Sequence, residues 1–162
     1  MMNRLTTIEI DKDYLKFSAA HFTVFSATER ERLHGHNFRV IARFVAEVND
    51  NGMCVDYSVL KKKVQQVCDD LDEYTLIAAN SPYLKITEQD DFYLVKHHND
   101  NMMYLKADTL LLPVANTTVE EFSDYILQQI LQDDAFKQAC EFKQIDIWVS
   151  SGPGQKGMSS WA

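Results

Sequence analysis

The segment His34-Gly-His-Asn-Phe-Arg-Val-Ile-Ala-Arg-Phe-Val-Ala-Glu-Val48 alternates with period two over its whole length. His34, His36, Phe38, Val40, Ala42, Phe44, Ala46 and Val48 share one parity. Asn37, Arg39, Arg43 and Glu47 share the other, with Ile41 and Val45 interrupting its polarity. Successive side chains of a strand point to opposite faces, so this pattern predicts one long strand with an apolar side and a mostly polar side. Such a strand must bury one face, which commits the chain to a sheet covered on that side.

The remaining segments supply the cover. In YLKFSAAHF, Leu15, Phe17, Ala19 and His21 alternate with Tyr14, Lys16 and Ser18, a second strand whose apolar parity ends on a histidine. NDNG at 49–52 is turn chemistry. Asp56 is the expected N-cap of a helix through YSVLKKKVQQVCDDL, with Val59, Leu60, Val64, Val67, Cys68 and Leu71 as its stripe. TTVEEFSDYILQQIL predicts a second helix, opened by Thr118 and Glu121 in capping-box spacing, with Val119, Phe122, Ile126 and Ile130 on one side. Two β-like runs flank HHNDN and predict a hairpin within a charged insertion at 83–112, with His97 and His98 as surface residues at its tip. FKQIDIWVS predicts a last strand, followed by a loop rich in Gly and Ser. The fold class is α+β, an antiparallel sheet with two helices on one face, in a single domain spanning 1–162.

A net charge of −8 argues against coating nucleic acid or an anionic membrane. Cys54, Cys68 and Cys140 are odd in number and lack a CxxC pair, as expected of reduced thiols in a cytoplasmic protein. The first residues have no signal-peptide pattern and no run has the length of a membrane span.

His34 and His36, at i and i+2 of a strand, project to the same side at the end of an apolar face. Two adjacent imidazoles there need partners for their nitrogens, either as satisfied core histidines or through one shared cation. His21 ends the neighbouring strand and can reach the same point. Three imidazoles with an open fourth position describe catalytic zinc more than structural zinc.

FSAAH at 17–21, LHGHNFRV at 33–40, GMCVDYSVLK at 52–61, LDEYTL at 71–76 and NTTVEEF at 116–122 resemble, in order and spacing, the 6-pyruvoyltetrahydropterin synthase / 6-carboxytetrahydropterin synthase family. The resemblance implies the tunnelling fold, in which sheets of several subunits join into a barrel, as trimers or hexamers with active sites at subunit interfaces. It implies zinc bound by His21, His34 and His36, and lyase chemistry on dihydroneopterin triphosphate or a related pterin. Three positions depart from the family pattern. Arg30 stands where the family has its cysteine, Glu73 replaces the histidine that follows Asp72, and the C-terminal glutamate that grips the pterin is replaced around Ser150 and Ser151. Glu31 and Glu29 flank the missing cysteine, and a carboxylate with a raised pKa beside zinc can take over as general base. Asp72 and Glu73 are further proton-carrier candidates. Arg30, Thr118, Glu120, Ser150 and Ser151 are the expected substrate contacts. Two other functions stay open: a zinc-binding paralogue with a different substrate, and a catalytically silent oligomeric binding protein.

Overall fold

A computed structural model describes residues 4–139 and 141–162. The predicted long strand is β3 (His34–Glu47), with Phe38, Val40, Ala42 and Phe44 fully buried. It is the spine of the sheet. Along one edge, β1 (Leu5–Ile10) pairs with its second half and β2 (Lys16–His21) with its first half, both antiparallel. Along the other edge runs β9 (Phe142–Gly152), which continues through a turn into β10 (Gln155–Trp161).

The opposite side of the sheet is parallel. β4 (Tyr74–Ala78) lies beside β2, and β8 (Thr109–Leu112) lies beside β4. To the antiparallel pairings expected from the sequence, the sheet adds two parallel ones, β2 with β4 and β4 with β8. Parallel neighbours need a long crossover, because a tight turn reverses the chain. Between β4 and β8 that crossover is a second sheet of β5 (Lys85–Gln89), β6 (Phe92–His97) and β7 (Asp100–Leu105). The segment expected as a hairpin over 83–112 is therefore a three-stranded meander, and Thr109–Leu112 belongs to the main sheet. It has its own apolar contact with the body, through Phe22, Val24, Ile77 and Val95.

Helices α1 (Tyr57–Leu71) and α2 (Val119–Leu131) pack into one core with the apolar face of β3. Asp56 caps α1 as expected, accepting the Ser58 N–H at 2.8 Å. Val59 lies outside the buried stripe and is exposed, because Leu60, Val64, Val67, Cys68 and Leu71 already fill the arc that faces the sheet. Thr118 caps α2 through the Glu121 N–H. The Glu121 carboxylate does not return to the Thr118 N–H of a reciprocal box; it accepts from the Ala115 N–H at 2.8 Å. A short α3 (Asp134–Ala139) closes the end of the core with Phe136. Cys68 is buried and Cys54 half-buried, while Cys140 lies outside the described residues. No helix among the described residues is long and apolar enough to cross a membrane.

Candidate metal centre and active site

The β2–β3 register sets His21 directly opposite His34, with Ala19 opposite His36. Cross-strand partners and i, i+2 neighbours share a face, so the three imidazoles meet at the end of the core. Their ring centroids lie 4.6 to 5.3 Å apart. One candidate ligand atom from each falls within 4.8 Å of the others. Phe38 lies edge-on to His21 and His36, 5.2 Å from His21, and Phe122 packs edge-on against Phe38.

Backbone carbonyls determine which nitrogens are free. His21 Nδ1 lies 2.7 Å from the Thr117 carbonyl, and His34 Nδ1 lies 2.7 Å from the Arg32 carbonyl. A carbonyl only accepts, so both Nδ1 atoms carry the proton and both Nε2 lone pairs face the cluster. His21 Nε2 is buried with no hydrogen-bond partner, and His34 Nε2 sits 3.1 Å from His36 Nε2. Burial, foremost, lowers the His21 pKa, and repulsion from His34 and His36 lowers it further against the Thr117 bond. A neutral imidazole with an orphaned lone pair, aimed at two others, fits a divalent cation such as zinc with an open coordination position.

The NTT segment builds this arrangement. Asn116 Nδ2 donates to the Val24 carbonyl, and its Oδ1 accepts the N–H groups of Val24 and Thr117. The Thr117 hydroxyl donates to the Phe22 carbonyl at 2.8 Å. These bonds stitch the entry to α2 onto the end of β2, which brings the Thr117 carbonyl to His21.

A cavity of about 350 Å³ opens over the histidines, lined further by Thr23, Glu31, Thr118, Glu120, Ser151 and Lys156. Glu31 is the carboxylate that reaches them. Its Oε2 lies 3.9 Å from His34 Nε2 and accepts the Thr23 N–H at 2.9 Å, while its own N–H donates to the Thr23 carbonyl. The expected rise in its pKa is not found. Burial, the largest single influence, pushes it up, but the Thr23 bonds and the neighbouring His34 and His21 together hold it below the ordinary glutamate value.

Other expected residues lie elsewhere. Glu29 and Arg30 line a separate surface cavity with Arg32, His97, His98 and Asp100. Arg30 is occupied: it donates to the Asp100 carboxylate and the Glu31 carbonyl, and its guanidinium lies over the Phe22 ring, 5.5 Å from the centroid. Asp72 ends α1 and accepts the Ser18 N–H at 2.6 Å. Glu73, at φ 64°, lines an open groove with His36, Asn37 and Asp108 rather than the histidine cavity. Ser151 lines the cavity, whereas the Ser150 hydroxyl is engaged within the β9–β10 turn, against the Gly152 and Gln155 carbonyls. His97 is not a surface residue: it is 1% exposed, and its Nε2 is 2.9 Å from the Ser26 carbonyl, because the β6–β7 hairpin lies against that loop. His98 is exposed, as expected.

Sequence reasoning missed Thr23, Gln155 and Lys156. The last two sit on β10, whose QKGMSSW reads as loop by composition. The available signal was Gly-Pro-Gly between two segments of strand length, a hairpin cue.

Comparison with known proteins identifies the family. Residues 9–154 match the family model described as 6-pyruvoyl tetrahydropterin synthase. A Methanocaldococcus jannaschii protein provisionally named 6-carboxy-5,6,7,8-tetrahydropterin synthase is 27% identical over 142 residues, covering 87% of this chain and 86% of that protein. The crystal structure of Plasmodium vivax 6-pyruvoyl tetrahydropterin synthase superposes with a TM-score of 0.91 at 29% identity, covering 98% of this chain and 99% of that one. The Plasmodium falciparum enzyme gives the same TM-score, identity and coverage. Two further Plasmodium vivax structures carry alanine or cysteine at a glutamate described as that enzyme's catalytic residue. The match over most of its length makes this chain a member of the 6-pyruvoyl tetrahydropterin synthase family, with its tunnelling fold.

Proposed function

We propose that the protein is a zinc-dependent lyase acting on dihydroneopterin triphosphate or a closely related pterin, with His21, His34 and His36 as zinc ligands and Glu31 as the proton acceptor. The observation that carries this reading is the placement of the Glu31 carboxylate 3.9 Å from His34 Nε2, in the cavity onto which three imidazoles converge. The catalytic glutamate of the Plasmodium vivax enzyme supports a carboxylate in this role.

Zinc bound there supplies Lewis acidity toward the hydroxyls of the pterin side chain. The chain's own residues do the rest. The Thr117 and Arg32 carbonyls hold His21 and His34 in one tautomer and one orientation. Glu31, with its carboxyl held below the ordinary range, is ionised at neutral pH and carries a free lone pair, as a weaker base than an ordinary glutamate. Its two bonds to Thr23 restrict where it can take that proton. Thr118, Glu120 and Ser151 line the remaining wall and orient the substrate. Asp72 and Glu73 lie outside this cavity, and on this reading they act across an interface with a second copy of the chain in a homo-oligomer.

The test is direct incubation of zinc-loaded protein with dihydroneopterin triphosphate and with dihydroneopterin, with products followed by pterin fluorescence and mass. Side-chain elimination or cleavage products are expected. Unaltered substrate after prolonged incubation with fully zinc-loaded protein would refute the lyase reading.

A further inference from the structure

Within the histidine cavity, the wall contributed by β10 carries a side chain that the proposed chemistry does not use. Lys156 lines this cavity and is exposed, which puts it at the mouth. The other formally charged side chains of the lining are Glu31 and Glu120, so Lys156 is its single fixed positive charge. It has no ion-pair partner among the described residues. The charge is therefore not spent on a structural contact.

Two features of the backbone bring it there. The register of β10 against β9 shifts between Gln155 and Gly157, so Lys156 is the residue at the irregularity. A β-bulge re-aims the side chain it carries, away from the ordinary alternation. Directly after it, Gly157 is buried against the first turn of α2. A Cβ on Gly157 would come within 2.8 Å of Val119 C, Val119 O and Glu120 N. The missing side chain lets β10 close onto the helix end that carries Thr118 and Glu120, and this close approach makes Lys156 part of the cavity.

We infer that Lys156 is the specificity-determining residue for the anionic tail of the substrate, selecting a phosphorylated pterin over its dephosphorylated counterpart. The inference rests on the pterin reading proposed above and deepens it. A cavity of about 350 Å³ is large enough to take a pterin ring with a short hydroxylated side chain. With the hydroxyls at the histidines, a phosphate ester at the end of the side chain emerges at the mouth. There an ammonium group meets it, with the Gln155 and Ser151 side chains on the same wall.

The experiment is an equilibrium binding titration of zinc-loaded protein at low ionic strength, with dihydroneopterin triphosphate and with dihydroneopterin. It compares the unmodified chain with Lys156→Ala and Lys156→Arg. The unmodified chain is expected to bind the triphosphate about tenfold more tightly, the range of a charge-assisted hydrogen bond. In Lys156→Ala the ratio of the two dissociation constants falls toward one, and in Lys156→Arg it is retained. An unchanged ratio in Lys156→Ala overturns the inference and leaves the pterin reading standing, as does a lack of preference in the unmodified chain. Failure to bind either pterin removes both.

Discussion

Arg30 Nη2 donates to the Asp100 carboxylate at 2.8 Å, so the residue next to Glu31 is tied to the hairpin of the crossover sheet. The same guanidinium donates to the Glu31 carbonyl from Nη1 and covers the Phe22 ring. His97 makes a second attachment at Ser26. The second sheet thus braces the loop that delivers Glu31, and Arg30 is a strut.

That relationship predicts a separation between stability and function. The Arg30–Asp100 pair is half open to water on the Asp100 side, so its loss costs at most about 1 kcal/mol of global stability. In Asp100→Ala the thermal midpoint should move little. The amide protons of Thr23 and Glu31, which pin the Glu31 side chain and backbone, should exchange faster in hydrogen-exchange measurements. Unchanged protection at these two amides would show that the brace is unimportant.

Asn116 gives a second prediction. It holds Val24 and Thr117 together and so sets the carbonyl that orients His21. Groups outside a ligand shell commonly change metal affinity by about 10- to 100-fold, and Asn116 stands one step further out. Asn116→Ala should weaken zinc binding by up to about tenfold in a competition titration with a chromophoric chelator. Affinity equal to that of the unmodified chain would detach Thr117 from the site's design.

Cys68 should be chemically silent in the native protein. Burial, with a smaller contribution from Asp69 and Asp72, pushes its thiol up to about 12. The thiolate is the reactive form, so at pH 8 almost none is present and alkylation requires opening of the core. Iodoacetamide should label Cys68 only on unfolding, and raising the pH toward 9 should change this little. Rapid native labelling, located by peptide mass, would contradict the packing of α1.

The sequence showed some of these features and hid others for physical reasons. β3 was visible because one strand carries the whole apolar parity from His34 to Ala46. Placing His21 beside His34 needed only an antiparallel neighbour, which the register supplies. The parallel side of the sheet was hidden, since β4 and β8 meet through a long crossover that leaves no local signal. β10 was hidden because it is polar, glycine-containing and irregular in register, so neither parity nor propensity marks Lys156. The direction of the Glu31 shift was also invisible, because it depends on an N–H from Thr23, eight residues away, folded back by the loop.

On the reading proposed above, Glu31 takes a proton beside a zinc held by three histidines. The most direct measurement is turnover of dihydroneopterin triphosphate by Glu31→Gln, with zinc content determined on the same sample. Full zinc retention is expected, with a fall in kcat on the order of 10²-fold or more, the usual share of a general base. Glu31→Gln turning over at the rate of the unmodified chain, with zinc in place, would contradict that reading.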